Sequence, residues 1–133
     1  MQLYLLLFVF LIVPIALNYG LEPASTLPKT LDIAVTGTDQ THIFRALMCL
    51  YLGAAAFWAI AAFTPAWQRT AVIWAIFFAL SLAVGRAISL VVDGRPSLLL
   101  LVYLGLEIFG GLLGIVVLAA GDRKPQAMMS GSS

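Results

Sequence analysis

The sequence predicts an all-α membrane protein, a four-transmembrane-helix antiparallel bundle, and three observations carry that expectation. Of its 133 residues 62% are hydrophobic and 10% charged, with a mean hydropathy of +1.06. A water-soluble domain of this length could not cover so large an apolar core with so few charges, so lipid is the solvent that stabilises it. Apolar runs recur at the length a bilayer demands, about 20 residues per helix. The breaks between them carry Pro and Gly, which stop helices. Together these give one membrane domain over 1–120 with spans at about 2–18, 41–63, 71–92 and 97–120. A long outer loop occupies 19–40, and a flexible polar tail follows over 121–133.

The first run, LYLLLFVFLIVPIAL, competes with a signal-peptide reading. A signal peptide needs a basic start, and Met1-Gln2 supplies none; no Ala-x-Ala site follows either. Pro14 removes one backbone donor and predicts a kink near the helix end, which neighbouring helices can cover. The segment 18–40 holds Gly20, Pro23, Pro28 and Gly37, which excludes a long helix. Residues 30–35 suit one turn or a short extended piece. Its charges are Glu22, Asp32 and Asp39 against Lys29. It reads as a solvated cap on the bundle or as a lid over a site at that face.

The second span opens with His42 and Arg45 and continues LMCLYLGAAAFWAIAAF. Gly53 and Ala54 to Ala56 offer a small surface for close helix packing, which matters where lipid removes the usual hydrophobic drive. Cys49 lies in this run; alone, it forms no intrachain disulfide and reads as packing. Thr64-Pro65 ends the span, and Trp67-Gln68-Arg69 is expected as a short interfacial turn. In the third span Ala75, Ala79, Ala83 and Ala87 recur every four residues. Ser81, Gly85 and Ser89 form a second small row, which predicts packing on more than one side. Gly94 suits a left-handed helix end, Pro96 prevents continuation, and Ser97 is a candidate N-cap. In the fourth span Tyr103, Glu107, Gly110, Gly111 and Gly114 share one face by helical spacing, so that face is expected to look inward.

Lys and Arg near the span ends set orientation. Arg69, Arg123 and Lys124 lie on the side of the termini, against Lys29, Arg95 and the shallow Arg45 on the other. Both termini are therefore expected in the cytoplasm. The formal charge is +1 with no basic run, which argues against a nucleic-acid partner.

Three motifs have a familiar layout: FRALMCLYLG at the start of span two, GRAISLVVDGRPS across the third span's end, and LEIFGGLLG in the fourth. Over roughly 3–118 the chain resembles the DUF4345 family, small bacterial integral membrane proteins of unknown function. The resemblance implies the four-span topology and a bacterial inner-membrane location. It points to Arg45, Arg86, Asp93, Arg95 and Glu107, and it implies no activity.

Arg86 and Glu107 are the two charges deep in spans. A charge near the bilayer centre costs about 2.5–3.5 kcal/mol on insertion scales, so neither is expected to face lipid. Arg86 lies about 9 Å and Glu107 about 15 Å from the Asp93–Ser97 turn, at about 1.5 Å per residue. Three readings follow. Arg86 and Glu107 pair and clamp the last two helices. Alternatively, Arg45, Arg86 and Arg95, with His42 nearby, attract an anionic or polar headgroup, since Arg forks match phosphate and carboxylate oxygens. In the third reading a protonated Glu107 relays protons or ions.

No catalytic constellation is legible. His42 stands alone, no second His or Cys pair has zinc spacing, and the serines have no base beside them. No cofactor is implied. The ligand-binding or ion-pair candidates are Arg45, Arg86, Glu107, Asp93, Arg95, His42 and Tyr103. The packing candidates are Gly53, Ala79, Ala83, Gly110, Gly111 and Gly114. The leading expectation is a membrane protein that binds a lipid-like or amphiphilic molecule in the outer half of the bundle, without catalysis. The alternative is an accessory or assembly subunit, or a homo-oligomer, joined through its Ala and Gly faces. A small transporter or channel is a third class, and an enzyme acting on a lipid-like substrate a fourth.

Overall fold

The computed structural model describes residues 1–130, with side chains through Gly121. The described residues form five helices and no strand: α1 (Gln2–Gly20), α2 (Pro23–Thr30), α3 (Thr38–Ala62), α4 (Pro65–Val92) and α5 (Leu98–Ser130). All but α2 are long and apolar enough to cross a membrane, the last over Leu98–Gly121. The fold is therefore the all-helical four-span bundle that composition demands. Part of the tail expected over 121–133 continues α5, and 131–133 lie outside the described residues.

The packing is inside-out relative to a water-soluble bundle. Large apolar side chains cover the surface, among them Leu3, Phe10, Phe63 and Val91, and no polar or charged residue is fully buried among those described. The interior of α3 and α4 is built largely on alanines: Ala54, Ala55, Ala61, Ala62, Ala71, Ala75, Ala79 and Ala83. In lipid, helices associate by van der Waals contact, so small residues that let backbones approach replace the leucine core of a soluble protein. Into this frame fits one aromatic cluster. Trp58 is fully buried, with ring centroids of Trp74, Phe78 and Phe8 at 5.1, 5.2 and 5.3 Å.

The bundle is narrow at the end that carries the termini. There Tyr4 donates from its hydroxyl to the Gly110 carbonyl at 3.0 Å. A Cβ on Gly114 would meet Ile76 Cγ1 at 2.5 Å and the Tyr4 hydroxyl; one on Gly111 would meet Leu80 Cδ2 at 2.5 Å; one on Gly110 would meet the Phe8 ring at 3.0 Å. α1, α4 and α5 thus touch across glycine faces. The other end is looser. α4 has no buried residue beyond Ala83, and α3 has none before Tyr51. α1 stays buried to its last turn, because Gly20 lets it lie against Phe44 and Met48 of α3.

Local chemistry moves several boundaries from their expected places. The segment 19–40 contains α2, because Pro23 is tolerated in a first turn and the Ser25 and Thr26 amides bond the Glu22 carbonyl at 3.0 and 2.9 Å. Leu27 and Leu31 pin α2 to the bundle, and the Asn18 amide donates to Thr30 Oγ1 at 3.1 Å. α3 starts at Thr38 because Gln40 Oε1 accepts the Thr36 and Gly37 amides at 2.8 and 3.4 Å. The interfacial turn expected at Trp67–Arg69 is instead the first turn of α4. Thr64 is extended, Pro65 sits at the first helical position, and Gln68 donates to the Ala62 carbonyl at 2.9 Å. Ser97 is not a side-chain cap: its hydroxyl is buried with no partner among the described residues. Gly94 adopts the left-handed conformation, φ +94°, after the Asp93 amide closes α4 on the Ser89 carbonyl at 2.7 Å.

Candidate functional site

An ion pair deep in the bundle joins the last two spans. Arg86 Nε donates to both carboxylate oxygens of Glu107 at 2.9 Å. The two side chains keep 20% and 13% exposure, and Arg86 Nη2 reaches the Tyr19 hydroxyl at 3.5 Å. The Arg86 guanidinium carbon also lies 5.6 Å from the centre of the Tyr103 ring, within cation–π range. Tyr19 in turn stacks on Phe44 at 6.3 Å and meets Tyr51 at 5.8 Å. Arg86 is therefore held from three helices: its own α4, α5 through Glu107 and Tyr103, and α1 through Tyr19.

The pair closes a difference in depth of about 6 Å between the two Cα positions, estimated at about 1.5 Å per residue. Side chains on a helix lean toward its N-terminus. α4 and α5 are antiparallel, so Arg86 leans away from the Asp93–Ser97 turn and Glu107 leans toward it. The two lean toward one another and meet.

Two cavities share Arg86 as a wall. The inner one, of about 50 Å³, lies between α1, α3, α4 and α5 and is bounded by Tyr51, Tyr103 and Glu107 among apolar side chains. It is much the smaller of the two. The outer one, of about 330 Å³, lies between the last turns of α4 and the first turns of α5. Gly85, Ser89, Asp93 and Arg95 line it together with Arg86, and Leu90, Leu100, Leu101 and Leu104 supply its apolar wall. The small row that predicts a second packing side does something else. Ser81, Gly85 and Ser89 are exposed, and nothing lies within 4 Å of a Cβ placed on Gly85. Here the missing side chains leave a hollow between α4 and α5.

The remaining candidates divide. Tyr103, Gly110, Gly111, Gly114, Ala79 and Ala83 are buried. Asp93 accepts a hydrogen bond from the Ser89 hydroxyl and stands with Arg95 at the mouth of the outer cavity. Arg45 is not brought to Arg86. It borders a separate cavity of about 290 Å³ with Glu22, Pro23, Ser25 and Thr41, between α2 and α3. His42 is exposed on the same stretch of α3. Gly53 faces outward with nothing within 4 Å, because Trp58, Ala54 and Ala55 take the inward face of α3.

Sequence reasoning missed Tyr19 and Tyr51. Tyr19 lies in the stretch read as the outer loop, although α1 runs on to Gly20, and Tyr51 lies in a run read as packing. The available signal is that a tyrosine hydroxyl within an apolar span needs a polar neighbour.

A family model described as a domain of unknown function, DUF4345, matches residues 1–118. Neither the curated proteins nor the solved structures yield a match. The match spans nearly the whole chain, and the protein belongs to the DUF4345 family.

Proposed function

We propose that this member of the DUF4345 family holds the polar head of a membrane amphiphile in the outer cavity between α4 and α5, without catalysis. One observation carries the reading. A cavity of about 330 Å³ combines Arg86, Ser89, Asp93 and Arg95 with a wall of four leucines. Ligand sites pair an apolar lining with a few placed polar groups. Here Asp93 and Arg95 lie at the turn, where a headgroup lies, and the four leucines line the space between them and the level of Arg86, where the start of a chain lies. Arg86 is fixed by Glu107 and Tyr19 before any ligand arrives, so little side-chain freedom is lost on binding. With both termini in the cytoplasm, the head belongs to the outer leaflet of a bacterial inner membrane.

Ser89→Leu tests this with every charged side chain kept, at the loss of the Ser89 hydroxyl's bond to Asp93. Leucine fills the hollow beside Gly85 on an exposed helix face, where stability is expected to change by no more than about 0.5 kcal/mol. After gentle extraction and mild delipidation, native mass spectrometry of the wild-type chain is expected to retain a constant phospholipid-sized adduct, and Ser89→Leu to lose it. Equal adducts in both would defeat the reading.

The subunit reading draws on a different surface. Gly53 and Ala56 present a small face outward from α3, with no neighbour in this chain at Gly53. A Gly53→Leu change that removes a co-purifying protein, with the monomer still folded, would favour it.

A further inference from the structure

The charges around the outer cavity indicate what kind of head it takes. Arg86 is met by Glu107, so its positive charge is already balanced. That leaves Asp93 and Arg95 on the same cavity. They are opposite in sign and two residues apart, with Gly94 turning the chain between them at φ +94°. Among the described residues no ion pair joins them, and the one bond given to the Asp93 carboxylate comes from the Ser89 hydroxyl. A carboxylate offers about four acceptor positions and a guanidinium five donors. Both are exposed and met by water in the free protein, and a ligand head that displaces that water and meets both must bring both signs of charge.

We infer that the head is zwitterionic, a phosphodiester joined to a primary ammonium as in an ethanolamine phospholipid, with Arg95 meeting the phosphate and Asp93 the ammonium. The inference rests on the headgroup reading above. Arg suits phosphate because its planar fork matches two oxygens at once. Asp93 discriminates by what it repels. A glycerol head brings the phosphate's negative charge with no cation for the carboxylate to face. A choline head brings a cation without N–H donors, so the acceptor positions on Asp93 go unmet. Only a primary ammonium supplies both charge and three donors. Asp93 thereby becomes the specificity residue and Arg95 the affinity residue, since like-charge juxtaposition rejects wrong partners more than it strengthens right ones.

The experiment reconstitutes the full chain in vesicles of equal parts phosphatidylethanolamine, phosphatidylglycerol and phosphatidylcholine with identical acyl chains. Gentle extraction and native mass spectrometry then read each retained lipid against its share of the bulk. The wild type is expected to enrich the ethanolamine lipid about two- to fivefold, the range set by one solvent-exposed charge contact. Asp93→Asn is expected to bring that ratio to the bulk value. Asp93→Ser, which also removes the charge, gives the same result and guards against a folding artefact of either variant. Enrichment of the glycerol or choline lipid in the wild type overturns the inference, as does ethanolamine enrichment that survives both Asp93 variants; in those cases the headgroup reading stands. Retention of no lipid at all overturns the headgroup reading and the inference with it.

Discussion

Arg86→Met is expected to cost about 3 kcal/mol of stability, and Glu107→Met on top of it to recover most of that loss. The first change strands a carboxylate at 13% exposure in the apolar half of a bundle, and breaking a buried pair at one partner costs about 3–5 kcal/mol. The residual exposure of both partners argues for the lower end. The double change leaves neither charge, and replacing both members of a buried pair by apolar groups of similar length is often neutral. Thermal unfolding in detergent, followed by helical circular dichroism, reads the four corners of the cycle. Equal melting for wild type and both single variants would mean that the pair contributes nothing and that water reaches both groups. The Tyr19 hydroxyl and the Tyr103 ring stay in place in every variant, so they cancel in the coupling energy.

Gly114→Leu is the second large effect. Even the first carbon of a side chain there meets Ile76 Cγ1 at 2.5 Å and the Tyr4 hydroxyl, and the three further carbons of leucine have nowhere to go. The contact lies where α1, α4 and α5 meet, beside the Tyr4 bond to the Gly110 carbonyl. Overpacking a close-packed site costs about 1–3 kcal/mol, and more where backbone must move. A loss of about 3 kcal/mol is expected, with the narrow end of the bundle pried apart. Gly53→Leu is the control, since that glycine meets nothing within 4 Å and the same substitution is expected to be neutral for the isolated chain. Comparable destabilisation by both would contradict the packing described here.

The four spans were legible because their signal is bulk hydropathy over about 20 residues, which tertiary context does not override. Gly110, Gly111 and Gly114 repeat at helical period in α5, and a Cβ on each would meet Phe8, Leu80 or Ile76 within 3.0 Å. Short-range features were less legible. α2 was hidden by Pro23 and Pro28, which read as breakers although a first-turn proline is compatible with a helix. The start of α4 was displaced because Trp67 suits both an interfacial turn and a first helical turn. The second small row on α4 borders a hollow and not a packing face, since small residues at regular spacing describe a close neighbour and a hollow equally well. Only the path of α5 distinguishes them. Arg45 and Arg86 share an end of the bundle in sequence, but helix rotation, which no pattern around Arg45 fixes, sends them to separate cavities.

An amphiphile head held in the outer cavity is distinguishable from one that merely touches the general lipid-facing surface. Photolabelling with a phospholipid that carries a photoreactive group in its head, followed by peptide mapping of the adducts, tests it directly. The account predicts labels concentrated on the lining residues between Ser89 and Leu101, with labelling lost in Ser89→Leu. Labels spread evenly onto outward residues such as Phe10, Ile60 and Phe77, and unchanged in that variant, would contradict it.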